Sequence, residues 1–218
     1  MCEKILSVMF SVFVIFGVGS CTPVRMGSAP GDLLATGLVG WQQIGGAEGS
    51  WQFEKGVLYT TGEGGGWLST VRPYSDFVLS LEFRVPAAGN SGVFLRAPHE
   101  GDPAYRGMEV QILDDYHEQY SDLRPDQYTA SIYGVQAPSD RASRPAGQWQ
   151  EMVIACSGSR VKVILNGERV IDTNTDFYPY KFETHPGLTR RSGYIGLQNH
   201  GSRVEFRNIE IELLPEAG

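Results

Sequence analysis

Five polar side chains with chemical potential are predicted to share one surface of this protein. They lie in three short segments in which apolar and polar residues alternate, and they are Arg96, Glu109, Gln111, Gln198 and His200. Successive side chains of a β-strand point to opposite faces of its sheet. The five polar side chains are therefore expected to point away from the core, because the core-favouring residues of these segments take the alternate positions: Val93, Leu95, Val110, Ile112, Ile195 and Leu197.

Two aromatic residues, Phe94 and Tyr194, fall on the same predicted face by the same alternation. Amides and a guanidinium make bidentate hydrogen bonds, and aromatic rings pack on the flat apolar faces of sugars. The set therefore favours recognition of a polyol. The alternative is that this is the hydrated outer face of a sheet without a function, since such faces are also polar.

Part of this set has side chains that bind metals. Glu109, Asp114 and His200 supply carboxylate oxygens and an imidazole, and their convergence would hold one divalent ion. The Asp114-Asp115 pair also suits an ordinary turn at the end of a strand.

The elements that must position these side chains are short strands. Glycine is abundant (27 residues), no long segment has helical periodicity, and Phe77–Arg84 alternates cleanly between apolar and polar residues. Asn166-Gly167 is a strong signal for a type I′ hairpin. Further strands are predicted along the chain, including one over Ala130–Tyr133. About a dozen short strands indicate an all-β sandwich of two packed antiparallel sheets.

The N-terminal segment predicts export. The apolar run Ile5–Val18 is shorter than the roughly 20 residues that a transmembrane helix needs, and it suits a signal peptide over residues 1–20. Small residues directly before Cys21 resemble a lipobox, so Cys21 is the predicted lipidation site. Residues 21–39 are predicted to be a lipidated tether, and residues 40–215 the sandwich domain. The protein is thus expected in the cell envelope, anchored to a membrane through Cys21; a cleaved, unlipidated form is the alternative.

Charge and cysteine content narrow the function further. The formal net charge is −7 and no basic stripe with interleaved aromatic residues is present, which disfavours nucleic-acid binding. Cys156 lies in the apolar run Met152–Cys156, so it is predicted to be a buried structural thiol.

Residues from about Gly40 to Leu214 resemble the 3-keto-disaccharide hydrolase family. The resemblance runs in order through segments that begin at Trp51, Asp76, Asn90, Glu109, Tyr133, Pro145, Leu165, Gly193 and Glu205. One of these segments is Gly193-Tyr194-Ile195-Gly196-Leu197-Gln198-Asn199-His200-Gly201, and the ordered coverage of nearly the whole mature chain is more specific than any one motif. Two departures are Gln148-Trp149-Gln150 and the aromatic insert Phe177–Phe182.

The resemblance implies a concanavalin A-like jelly-roll sandwich with its site on the concave face. It implies an oxidised 3-keto-glycoside as substrate, cleaved by 1,2-elimination and hydration of the resulting glucal. In such a reaction Glu109 or His200 would remove the C2 proton, and Arg96 or a divalent ion would stabilise the enolate. Gln111 and Gln198 would orient hydroxyls, beside Phe94 and Tyr194.

Two other functions remain open from the sequence. A carbohydrate-binding module without catalysis would need the same amides and aromatic rings, because this fold hosts many functions. A retaining glycosidase would need two carboxylates about 5 Å apart, and Glu109 with Asp114 could supply them only if the strand contained a bulge.

Overall fold

The computed structural model describes residues 30–215, which form a two-layer β-sandwich. Its strands are β1 (Gly31–Asp32), β2 (Trp41–Ile44), β3 (Trp51–Glu54), β4 (Val57–Thr60), β5 (Trp67–Thr70), β6 (Phe77–Arg84), β7 (Asn90–Ala97), β8 (Met108–Leu113), β9 (Gln150–Ser157), β10 (Arg160–Leu165), β11 (Glu168–Asn174), β12 (Tyr194–Gln198) and β13 (Glu205–Leu213). One short helix, α1 (Pro103–Arg106), joins β7 to β8. Five 3₁₀ turns follow at Glu118–Tyr120, Pro125–Gln127, Thr175–Phe177, Pro179–Lys181 and Pro186–Thr189.

The strands form two antiparallel sheets, which confirms the predicted all-β jelly-roll sandwich. The larger sheet has the order β11-β10-β9-β6-β13-β4-β3, with β1 added beside β13. The smaller sheet has the order β2-β5-β12-β7-β8. Apolar side chains from both sheets pack between them, as expected when each sheet has one buried face.

The predicted alternation of β6 is confirmed residue by residue. Phe77, Leu79, Leu81 and Phe83 are buried, and the residues between them are only partly covered. The Asn166-Gly167 turn between β10 and β11 has positive φ at both residues, 51° and 88°, as a type I′ turn requires. Cys156 is fully buried in the core and burial raises the pKa of its thiol to about 11, so it is a structural thiol as predicted.

The sandwich begins before residue 40, where the predicted boundary lay. Gly31 and Asp32 pair with Ile211 and Glu210 of β13, and Leu34 is part of the core. The part of the predicted tether from Gly31 onward therefore belongs to the folded domain. The predicted signal peptide and Cys21 lie outside the described residues.

The segment predicted as a strand at Ala130–Tyr133 is instead a turn that covers the free edge of β8. Ala130 N donates to Gln111 O (2.8 Å), Gln111 N to Ser131 O (3.1 Å) and Tyr133 N to Glu109 O (2.9 Å). Isolated bridges join Ile132 to Val110 and Gln136. The covering turn, Tyr128–Gln136, thus satisfies the backbone of the edge strand without becoming a strand itself.

Among residues 30–215, no helix is long and apolar enough to cross a membrane.

Candidate functional site

A cleft of about 180 Å³ opens on the outer face of the five-stranded sheet. Its floor comes from β8, β7 and β12, and it is lined by Asn90, Asp102, Ala104, Tyr105, Glu109, Gln111, Tyr133, Gln198 and His200. Four of the residues predicted to share a face, Glu109, Gln111, Gln198 and His200, therefore meet in this cleft. We call it the carboxylate cleft.

Glu109 occupies the floor of the carboxylate cleft. It is only 4% exposed, and no hydrogen bond or ion pair of its carboxylate is found within residues 30–215. The carboxylate lies over Gly92 of the neighbouring strand, where a Cβ atom would overlap it. A glycine at position 92 is thus what makes room for this side chain.

Burial governs the protonation of Glu109. Loss of hydration raises the pKa of its carboxyl from 4.5 to about 8, and the negative charge of Asp102 adds to the effect. A carboxyl with this pKa exchanges its proton near neutral pH, which is the range that suits a general base or acid.

Amide groups around Glu109 have unused hydrogen-bonding capacity. Within the described residues, Asn90 Oδ1 and Gln198 Oε1 are buried atoms without a hydrogen-bond partner. Gln111 Oε1 accepts from Ile112 N (3.0 Å), which leaves its Nε2 group to donate. Buried polar atoms that lack partners cost free energy, so a polyhydroxylated ligand that pairs with them would be favoured.

His200 lies at the exposed rim, on a loop fixed by its neighbour Asn199. Asn199 Nδ2 donates to Glu63 O (2.8 Å) and Asn199 N donates to Gly66 O (2.9 Å), which ties this loop to the glycine-rich loop Gly62–Gly66. His200 Nδ1 lies 3.3 Å from Asn90 Nδ2. The imidazole is therefore oriented over the cleft and still reaches solvent.

Three further cleft residues, Asp102, Tyr105 and Tyr133, were not predicted. Asp102 caps α1 by accepting from Ala104 N (3.0 Å), and Tyr105 follows within that helix. Tyr133 belongs to the covering turn and accepts from Gln127 Nε2 (2.9 Å). Strand alternation, which found the other residues, gives no information about side chains from a crossover helix or a turn. Asn90, in contrast, lies four residues before Phe94 on β7, so alternation along the strand could have placed it on the same face.

The prediction that Arg96 points to this face is wrong. Tyr194 pairs with Ala97, whereas Gly196 pairs with Phe94, so β7 contains an extra residue at this position and Arg96 has φ of 51°. Such a β-bulge breaks the alternation. The guanidinium is fully buried and donates to Ser75 O, Gly158 O, Arg190 O and Asp76 Oδ1. Arg96 therefore holds loops together on the opposite side of the strand and does not reach the cleft.

The predicted metal ligands do not assemble either. Asp114 Oδ2 accepts from Ala88 N (3.0 Å) and its Oδ1 from Tyr116 N (3.4 Å), so this carboxylate caps a turn. Within residues 30–215, no three His, Cys, Asp or Glu side chains are grouped so that they could hold a metal ion. Glu109, Asp114 and His200 thus do not fit the predicted ion, and the Asp114 and Glu109 pair required of a retaining glycosidase is likewise not in the cleft.

An apolar cluster continues from the carboxylate cleft along the same face. Trp67, Phe94, Ala97 and Ala104 form it, with Tyr194 packed against its side. The Trp67 and Phe94 rings meet edge to face at 5.5 Å. Both aromatic residues predicted for the face, Phe94 and Tyr194, are therefore on it, but beside Glu109 rather than over it.

Comparison with known proteins identifies the family of the chain. The model of the 3-keto-alpha-glucoside-1,2-lyase-like domain matches residues 33–212. A Bacteroides thetaiotaomicron protein named 3-keto-disaccharide hydrolase is 27% identical over an alignment that covers 80% of this chain and 74% of that protein.

Solved structures match the fold of this chain. The crystal structure of a candidate glycosyl hydrolase from Parabacteroides distasonis has a TM-score of 0.78 at 27% identity, and the match covers 86% of this chain and 100% of the other. A Bacillus subtilis protein with a galectin-like fold has a TM-score of 0.60 at 13% identity, over 89% and 99% of the two chains, and supports the fold alone. The family expected from the sequence is confirmed: the chain belongs to the 3-keto-alpha-glucoside-1,2-lyase-like domain family.

Proposed function

We propose that this protein cleaves 3-keto-glycosides by abstracting the C2 proton of the sugar, with Glu109 as the base. The observation that carries this proposal is the position of Glu109: a nearly buried carboxylate without a hydrogen-bond partner in the described structure, on the floor of a cleft lined by amides. A cleft of about 180 Å³ is smaller than the pockets that bind drug-sized ligands, so it suits a single sugar ring.

The chemistry follows from the ketone. A carbonyl at C3 acidifies the C2 proton, which passes to a Glu109 carboxylate oxygen while the C2–H electron pair delocalises onto O3 as an enolate. The enolate then reforms the carbonyl, the C1–C2 double bond forms, and the C1–O bond breaks with its electron pair leaving on the aglycone oxygen. Addition of water across C1–C2, with a proton returned to C2, makes the net reaction a hydrolysis.

The other cleft residues have separate tasks in this scheme. Gln111 Nε2 donates toward the enolate oxygen, since its Oε1 already accepts from the backbone. Asn90 Oδ1 and Gln198 Oε1 accept hydrogen bonds from sugar hydroxyls. His200, at the exposed rim, protonates the departing oxygen. No step requires a metal ion.

Proton abstraction can be measured directly. In D₂O, the wild-type protein should exchange or lose the C2 hydrogen of a 3-keto-glucoside, followed by NMR, and release the aglycone. Glu109→Gln should lower both rates about 10²-fold or more, because a base in the transition state contributes that much. Glu151→Gln, an exposed glutamate on β9, is the matched control and should behave as wild type.

His200→Ala extends the experiment to the second half of the reaction. It should slow release of poor leaving groups more than release of a nitrophenolate, and leave C2 exchange less affected. Equal C2 exchange in Glu109→Gln and wild type would show that the base has been misassigned. Loss of turnover on chelation, restored by a divalent ion, would contradict a scheme without a metal.

A second function is favoured by one observation. Asp102 also lines the carboxylate cleft, and its charge raises the pKa of Glu109, so the cleft holds two carboxylates. An ordinary glycosidase would use such a pair on an unoxidised glucoside.

The Asp102→Asn variant tests this alternative. It keeps the helix cap, because Asn caps as well as Asp. Turnover of a plain glucoside, abolished by this variant, would establish the glycosidase; binding without turnover of either sugar would establish a binding module.

A further inference from the structure

A second and larger pocket lies next to the carboxylate cleft. It has a volume of about 480 Å³ and is lined by residues that follow β7, by α1, by the 3₁₀ turn Pro186–Thr189 and by Tyr194. This volume lies within the range of pockets that bind small organic ligands. We call it the arginine pocket.

The apolar cluster connects the two sites. Ala104 lines the carboxylate cleft and Tyr194, packed against the same cluster, lines the arginine pocket. Phe94 and Ala97 lie in the cluster that links them. Phe94, Ala97 and Ala104 are at most 8% exposed, so the cluster lies beneath this surface and supports it. The half-buried Tyr194 is the ring that a bridging ligand would contact.

The charge of the arginine pocket differs from that of the whole chain. Its lining carries two guanidinium groups, Arg106 and Arg190, against one carboxylate, Glu100, whereas the chain has a net charge of −7. In the described part of the chain, neither arginine forms an ion pair. Arg190 Nε donates to Arg96 O (3.0 Å), which fixes that side chain and leaves its terminal nitrogens free of protein carboxylates.

The wall of the pocket is held rigidly. His99 stacks on Tyr194 with a centroid distance of 3.7 Å and an interplanar angle of 17°. His99 Nε2 also lies 3.0 Å from Ser69 Oγ and 3.2 Å from Gln42 Nε2. The stacked pair therefore presents a fixed aromatic surface to a ligand.

The strand register gives the distance between the two sites. Glu109 pairs with Phe94, which in turn pairs with Gly196, and Tyr194 lies two residues before Gly196 on β12. Strand geometry places these two levels about 7 Å apart along the strands, and β8 and β12 lie two strand spacings, about 9.5 Å, apart across the sheet, which makes about 12 Å in all. That separation corresponds to the reach from a base at C2 of a bound sugar, across the glycosidic oxygen and one six-membered ring, to a substituent on its far side.

We infer that the arginine pocket binds the leaving group of the glycoside, and that this group is a single ring bearing a carboxylate. This inference rests on the proposed function, because it places the sugar in the carboxylate cleft. The ring would pack against Tyr194, and its carboxylate would accept hydrogen bonds from Arg106 and Arg190. An aromatic acid and a sugar acid share this chemistry, and the binding measurements separate them.

The binding measurement does not depend on turnover. The probes are 4-hydroxybenzoate and glucuronate, each compared with its neutral amide, titrated into the wild-type protein at low salt. At least one acid should bind about tenfold more tightly than its amide, the effect of one charge-assisted hydrogen bond, and added salt should reduce the difference. The acid with the larger preference identifies the source. Equal binding of acids and amides would overturn the inference.

Charge variants give effects of opposite sign. Arg106→Gln should remove most of the preference for the acid, and Glu100→Gln should strengthen acid binding because it removes the opposing charge. Arg169→Gln, on the far edge of the eight-stranded sheet, is the control and should retain the wild-type preference. A preference that survives Arg106→Gln unchanged would place the acid elsewhere.

Turnover separates failure of the inference from failure of the proposed function. The 3-keto-glucosides of 4-hydroxybenzoate and 4-hydroxybenzamide are compared by kcat/KM, with about a tenfold advantage expected for the acid in the wild type. Turnover of both at equal rates, without acid binding, would overturn only the leaving-group inference. Acid binding without turnover of either compound would instead overturn the proposed function.

Discussion

The carboxyl group of Glu109 is destabilised in its charged form by the fold itself. Burial is the larger cause and the nearby charge of Asp102 the smaller, and together they raise the pKa of Glu109 to about 8. No hydrogen bond to this carboxylate within residues 30–215 offsets the loss of hydration. The protein therefore holds a basic carboxylate in place at a cost in stability.

This cost predicts a pH dependence of stability. Between pH 4.5 and about 8 the folded protein keeps the Glu109 proton that the unfolded chain releases, so the stability falls as the pH rises. The slope is at most about 1.4 kcal/mol per pH unit. Glu109→Gln removes this contribution, so its advantage over wild type in urea unfolding should grow from pH 5 to pH 8 and then stay constant. A constant difference throughout would show that the Glu109 pKa is normal.

The absence of a side chain at Gly92 leaves the space that the Glu109 carboxylate occupies. A Cβ at this position would overlap the Glu109 carboxylate, which is the far end of a flexible side chain and can swing aside. Gly92→Ala should therefore lower kcat about 10²-fold, the cost of misplacing a reacting group by about 1 Å, with a smaller effect on the melting temperature. Gly40→Ala is the control, because an added Cβ there meets no atom within 4 Å. Wild-type kcat in Gly92→Ala would mean that the position of Glu109 is not limiting.

Alternation along strands identified Glu109, Gln111 and Gln198 from the sequence, because Val, Ile and Leu on the other face fix the orientation of each strand. The same argument failed at Arg96, since one extra residue in β7 reverses the facing of everything after it. Nothing in the sequence around Leu95-Arg96-Ala97 marks that bulge, because the residue at positive φ is an arginine rather than a glycine.

At the scale of elements, the bulge of β7 is stabilised by the buried Arg96 guanidinium. It forms an ion pair with Asp76, which is also buried, and its other donors satisfy carbonyls of three loops. The element that follows the bulge leads through His99 into α1, which brings Asp102 and Tyr105 to the cleft. The strand defect thus allows residues outside the sheet to take part in the site.

Arg96→Met should lower the free energy of unfolding by about 3–5 kcal/mol, as for other buried pairs that lose one partner. Chemical denaturation at constant pH measures this change. Arg203→Met is the control, because the Arg203 side chain is half exposed and Glu205 keeps Arg84 as a second partner, so the loss is expected to be less than about 1 kcal/mol. A loss below 1 kcal/mol in Arg96→Met would show that Arg96 is not needed to hold the bulge.

Elements outside the strands limited what could be predicted of the site. Two antiparallel sheets, the Asn166-Gly167 hairpin and the buried Cys156 follow from local patterns and were expected. Asp102, Tyr105 and Tyr133 come from α1 and from the covering turn, whose positions depend on tertiary packing. The start of the domain was also placed too late, because β1 has only two residues and its pairing with β13 has no local signal.

At the scale of the whole molecule, the two sheets have different roles. The eight-stranded sheet contains β1 and β13, whereas the carboxylate cleft and the arginine pocket lie on the outer face of the five-stranded sheet. A chain segment that enters through β1 therefore joins the protein on the sheet that does not carry the cleft. An attachment before Gly31 would join the described domain at that sheet.

We propose that this attachment is a lipid on Cys21 and that the protein is exported to the cell envelope. Cys21→Ser should move the protein from the membrane fraction to the soluble fraction or leave an uncleaved precursor. Fractionation with immunoblotting and mass spectrometry of the mature N-terminus measure this. Recovery of wild-type protein as a soluble, unacylated chain cut at another site would refute the anchor.

The covering turn Tyr128–Gln136 affects how this protein behaves when many molecules lie close together. β8 is the outermost strand of its sheet, and an uncovered strand there would offer its backbone groups to any neighbouring chain. Because Ala130 and Tyr133 donate to the carbonyls of Gln111 and Glu109, those groups are already occupied. The strand that carries the reactive carboxylate is thereby shielded from joining another molecule's sheet. At high local concentration on a surface, β8 is therefore not expected to start aggregation by pairing with a strand of another molecule.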